Sequence, residues 1–171
     1  MSSRVIAVND DTHRLRVSYE EMVRYNGAHS PGGVALAFKA MERALPLLGD
    51  PQPVERREVH VRTSFPGPGA RDAFEVTLRA LRDERYLLDP SLARPQDGPR
   101  RARFAFAFLR GRTTVTVRLR EGYVTDEFLE LLATPDRTSD QERRLAELKE
   151  SLAEHVMAHD ASDVFDAHVE G

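Results

Sequence analysis

Phe104, Phe106 and Phe108 alternate with Ala105 and Ala107, and a few residues later Val115, Val117 and Leu119 alternate with threonine and arginine. Successive side chains of a strand point to opposite faces, so each run gathers its large apolar groups on one side. Leu109-Arg110-Gly111-Arg112-Thr113 is short enough to join the runs as an antiparallel hairpin. A lone hairpin is marginal in water, so its phenylalanines need a covering layer. The alanine face is small enough to admit a close-packed helix.

That layer is visible upstream. Ser30-Pro31 is a helix start, with Ser30 able to accept from an unpaired early N–H and Pro31 needing no donor. Beyond it Val34, Ala37, Phe38, Met41, Leu45 and Leu48 recur at helical spacing and form one apolar stripe. Gly49-Asp50-Pro51 ends the element. Arg4 to Val8 reads as a strand closed by Asn9-Asp10-Asp11, with Leu15 to Val17 as its continuation. Ser18 and Glu21 form a capping box for a short helix over 19–25. Strand character runs from Val54 to Thr63, a second helix covers 71–82, and residues 89–100 form a proline-rich excursion. A helix over 124–133 follows, and then a capping box at Ser139 and Glu142 opens a last helix with Leu145, Leu148, Leu152 and Val156 on one side. The expected fold is α+β: an antiparallel sheet packed against a long helix and shorter helices, with an additional C-terminal helix. Residues 1–133 would form the main domain and 134–171 a C-terminal helical extension.

The size, 171 residues and 19.3 kDa, suits one moderately large domain. No cysteine is present, which excludes disulfides, cysteine-ligated clusters and thiol nucleophiles. Only Lys39 and Lys149 could serve as Schiff-base lysines. No apolar run approaches the roughly 20 residues that cross a bilayer, and Met1-Ser-Ser-Arg-Val-Ile lacks a long apolar leader. A cytoplasmic protein with no membrane partner is expected. Arginines crowd residues 94–120, but a net charge of -3 and phenylalanines that alternate like core residues argue against nucleic acid as a partner.

Tyr25-Asn26-Gly27-Ala28-His29-Ser30-Pro31-Gly32-Gly33, leading into the long helix, resembles the opening motif of the FmdE family, named for a component of formylmethanofuran dehydrogenase. The later turn and helix of that family resemble Gly69-Ala70-Arg71-Asp72-Ala73-Phe74-Glu75, and its aromatic strand resembles the segment from Arg101 to Phe106. The similarity spans about residues 18–133 and implies an α+β domain, a homodimer, and a divergent, cysteine-free, stand-alone member. In cysteine-bearing members a metal lies near these segments. Here Asn26 and Ala28 stand where two histidines are expected, Ser30 where the first cysteine is, and Gly69 near the later one. These groups are poor zinc ligands, so neither a metal nor another cofactor is expected.

The two turns nonetheless suggest a site for a polar or anionic small molecule. A helix N-terminus attracts anions, and Gly32 and Gly33 would leave room for a carboxylate or enolate-like oxygen. His29 with Asp72 or Glu75 would be the acid/base pair, while Tyr25, Asn26, Ser30, Arg71 and Arg103 would hold the ligand. This arrangement would suit a metal-independent enzyme of a biosynthetic pathway. The plainer reading makes Ser30 a cap, places His29 in a surface loop, and leaves a non-catalytic binding or assembly protein on a degenerate metal-binding scaffold. A third alternative is a metal-binding enzyme using His155 and His159, four apart on one helical face.

Overall fold

The computed structural model describes residues 4–171; Met1 to Ser3, part of the N-terminal stretch considered above, lie outside the described residues. The fold is α+β. Strands β1 (Val5–Asp10) and β2 (His13–Ser18) form a two-stranded antiparallel hairpin. Leu15 to Val17 thus reverse the first strand rather than continue it, because Asp11 takes a left-handed conformation at φ 56° and turns the chain. Helices α1 (Tyr19–Asn26) and α2 (Pro31–Ala44) follow, then β3 (His60–Thr63), α3 (Pro68–Leu78) and β4 (Tyr86–Leu88). The remainder comprises β5 (Ala105–Arg110), β6 (Thr113–Leu119), α4 (Asp126–Ala133), α5 (Ser139–Met157), the single turn α6 (Ala161–Val164) and β7 (Phe165–Glu170).

The main sheet has the order β4-β3-β5-β6-β7. It is antiparallel except between β3 and β4, which run parallel across the α3 connection. The expected aromatic hairpin is present, with Phe106 opposite Val117 and Phe108 opposite Val115. Phe106 packs edge-on against Phe74 of α3 and Phe165 of β7, with both centroid distances 5.8 Å. The residues expected to form a helical extension therefore also supply a strand to the main sheet.

Helix α2 is more deeply embedded than a single stripe implies. Eleven of its 14 residues are buried, which places it at the centre of the molecule rather than on one face of it. Small residues make this possible. A Cβ on Gly32 would stand 2.9 Å from Leu152 Cδ2 of α5, and one on Gly33 would stand 3.1 Å from the Ala70 nitrogen of α3. Lys39 is buried in this helix, its ammonium 2.9 Å from Glu42 Oε1.

Other boundaries differ from the expected ones for local reasons. The first capping box forms as expected, with Glu21 N–H donating to Ser18 Oγ at 3.1 Å and Ser18 N–H donating to Glu21 Oε2 at 2.7 Å. The second is shifted by one residue. Thr138 and Gln141 form it, and Arg137 holds Glu142 at 2.9 Å instead. Helix α3 begins at Pro68 and ends at Leu78, capped by Arg79 in a left-handed conformation at φ 56°. Val54 to Thr63 is extended as a strand only at its last four residues, because Arg56–Glu58 forms a 3-10 turn. No helix among the described residues is long and apolar enough to cross a membrane.

Candidate functional site

The two glycine-bearing turns meet. Asn26, the last residue of α1, donates its side-chain amide to Asp72 Oδ2 at 2.9 Å, and its Oδ1 accepts from the Ser30 N–H at 2.9 Å. Ser30 makes no side-chain cap for α2, contrary to expectation, because Asn26 already orients the chain at that point. The Ser30 carbonyl accepts from Val34 N–H and faces Gly69, where a Cβ would lie only 2.3 Å away.

This closeness determines what the glycines do. Their spacing predicts room for an anion beside Gly32 and Gly33; instead Gly32 admits α5 and Gly33 admits α3. Beside these two glycines the space is filled by protein.

The other candidate residues are dispersed. His29 and Arg71 are exposed, and the Lys149 ammonium reaches the His29 carbonyl at 3.5 Å. Tyr25 is 55% exposed, not a core residue. Glu75 Oε2 accepts from Leu81 N–H at 2.7 Å and Arg82 N–H at 3.0 Å, closing the turn after α3. Arg103 is exposed just before β5, and its carbonyl accepts from the Ser64 hydroxyl at 2.7 Å. A recess of about 470 Å³ borders the α1–α2 turn on the α5 side, lined by Tyr19, Val23, Ala28, Pro31, Glu150 and Met157 among others. Asn26 and Asp72 are joined, but the expected acid/base pair has no shared hollow there.

His155 and His159 are neighbours, with ring centroids 4.9 Å apart, and both lie against Tyr123. The Nδ1 of His159 is 2.8 Å from the His155 carbonyl, so one ring nitrogen is occupied. No group of three or more histidine, aspartate or glutamate side chains among the described residues is placed to hold a metal ion.

The arginine-rich stretch folds into separate ion pairs. Arg110 meets Glu58 at 3.1 Å, Arg120 meets Asp166 at 3.5 Å, and Arg94 meets Asp97 at 3.0 Å. Arg100 lies within 3.7 Å of Glu121 and 3.6 Å of Asp126. Acids distant in sequence thus pair with Arg100, Arg110 and Arg120, while Arg94 pairs with the local Asp97.

Arg85 carries no sequence signal yet is buried and joins three segments. Its guanidinium donates to the carbonyls of Arg56, Val59 and Leu78, the last at 2.7 Å. Nothing in a local pattern separates it from the exposed Arg82 nearby. No protein-family model matches this chain, and no curated protein matches it either.

Proposed function

We propose that this chain is a non-catalytic binding or assembly protein, built on a cysteine-free version of the scaffold that the FmdE-like resemblance implies. The observation that carries this reading is the packed junction between Ser30 and Gly69. Acid/base catalysis needs a proton-transfer group within hydrogen-bond reach of a bound substrate. At the junction, backbone occupies the space such a substrate would need, and Asp72 and Glu75 are each committed to internal hydrogen bonds. The long helix opening at Pro31, the second helix opening at Pro68 and the aromatic strand supply the element order that supports the family scaffold.

Assembly as a homodimer belongs to the same proposal. Two strands end the main sheet, with Leu87 and Leu88 exposed on β4 and Val169 exposed on β7. Open sheet edges can pair with another chain. A cytoplasmic setting completes the reading.

The test is incubation of the purified full chain at low concentration with a metabolite extract, followed by mass spectrometry. The proposal expects a ligand retained at up to one equivalent per chain and no progressive conversion of any metabolite. Multiple turnovers lost in His29→Gln or Asp72→Asn protein of unchanged fold would establish the acid/base enzyme instead.

A further inference from the structure

The sheet face opposite the phenylalanines carries a second arrangement. There β6 presents Thr116 and Arg118, two residues apart and therefore on the same side. Arg118 lies opposite Asp166 of β7, and Thr116 lies opposite His168. Ala105 and Ala107 of β5 lie on this face too, but the proline-rich excursion rather than a helix crosses it, with the Leu92 carbonyl accepting from Arg118 Nη1 at 3.0 Å. Arg94, Arg101, Thr116 and Arg118 line a recess of about 420 Å³ together with Asp166, His168 and Glu170 of β7.

Not every arginine around this recess has an acid partner. Asp97 is held by both Nε and Nη2 of Arg94, at 3.0 and 3.2 Å. Asp166 pairs with Arg120, and Glu170 lies 3.1 Å from His168 Nε2. Arg101 and Arg118 lie within ion-pairing distance of no carboxylate among the described residues. Arg101 donates its Nε to the Leu119 carbonyl at 2.9 Å, which fixes its base and leaves both terminal nitrogens available. Arg118 uses only Nη1 in the same way. Burial, joined by the charge of Arg94, lowers the Arg118 pKa, with Asp97 partly opposing that effect.

We propose that this recess binds a small phosphate monoester, with Arg101 and Arg118 gripping the phosphoryl oxygens and Thr116 adding a hydroxyl. A phosphomonoester carries about -1.5 to -2 charge near neutral pH and three acceptor oxygens. That matches two guanidinium groups without a carboxylate partner, whose planar forks suit phosphoryl geometry. One carboxylate supplies a single charge and would leave one arginine unmatched. This site names the ligand class for the binding half of the proposed function, and rests on that reading in treating the ester as bound rather than consumed.

Calorimetric titration of the full chain at low ionic strength tests the site, with glycerol phosphate as probe and inorganic phosphate and succinate as comparisons. Glycerol phosphate is expected to bind, and Arg118→Gln to weaken it by roughly tenfold or more, the size of a lost charge-assisted hydrogen-bonded contact. Arg101→Gln is expected to do the same and carries the test should Arg118→Gln melt below the titration temperature. Equal binding by both variants and the parent chain would overturn the site. Succinate binding as tightly as glycerol phosphate, or inorganic phosphate binding where the ester does not, would overturn the monoester assignment. Absence of any heat with the parent chain would also overturn the site while leaving the non-catalytic reading intact. Release of phosphate from a bound ester would sink that reading while retaining the site.

Discussion

Asn26 and Asp72 clasp two turns separated by 46 residues, the amide of one donating to the carboxylate of the other at 2.9 Å. The same Asn26 side chain accepts from Ser30, so one residue fixes both the entry to α2 and its approach to α3. Asn26→Ala removes both bonds and is expected to destabilise the fold by about 1–3 kcal/mol. Asp72→Ala removes one and is expected to cost less, about 0.5–1.5 kcal/mol. Urea unfolding of the two variants checks the order.

Arg85 supports the parallel β3–β4 pair by filling carbonyl acceptors that no neighbouring strand reaches. Truncation to alanine would leave the carbonyls of Val59 and Leu78 without this donor in a buried setting. A loss on the order of 3 kcal/mol is expected for Arg85→Ala, because buried acceptors lose their partners. Arg85→Lys is expected to recover only part of it, since an ammonium cannot reproduce the guanidinium fork. Denaturant midpoints for the two proteins provide the comparison.

Acid sensitivity is expected at the β1–β2 hairpin. Burial acts to raise the Asp10 pKa, but the charges and hydrogen bonds of Arg56 and Arg57 outweigh it and hold the carboxyl below its ordinary value of 3.8. A carboxyl depressed on folding contributes stability that is complete above its unfolded pKa and lost as pH falls through its folded one. Asp10→Asn is therefore expected to lower the melting temperature at neutral pH and to flatten the decline between about pH 5 and about pH 3. An unchanged acid slope would remove Asp10 from that role.

The aromatic hairpin and the Ser18 cap were legible because each rests on a short repeating pattern: alternation in one case, an i,i+3 pairing in the other. Strand β4 has three residues, too few to display a period, and its parallel pairing depends on the intervening α3. Strand β7 carries the same alternation, Phe165, Ala167 and Val169 against Asp166, His168 and Glu170, but it follows a helix directly and is masked by the helical pattern before it. The glycines of the two turns stand out in the sequence, but spacing cannot distinguish room for a ligand from room for another helix. Only the approach of Ser30 to Gly69 makes that distinction. The arginine cluster poses the same difficulty. Its acids, such as Glu58 for Arg110, lie far away in sequence, so which arginines lack an acid partner, Arg101 and Arg118 among them, emerges only after folding.

The claim that these turns form a packed junction is tested most directly by the unfolding free energy of Gly69→Ala. In an open helix the change would stabilise, since alanine exceeds glycine by about 0.5–1 kcal/mol in a helix interior. Here the added methyl meets the Ser30 carbonyl at 2.3 Å, a backbone atom that cannot swing aside. Overpacking of this kind costs about 1–3 kcal/mol, so a loss in that range is expected, exceeding the loss for Gly33→Ala, whose nearest neighbour lies at 3.1 Å. A Gly69→Ala protein as stable as its parent, or more so, would contradict the packed junction and restore an open space between the turns.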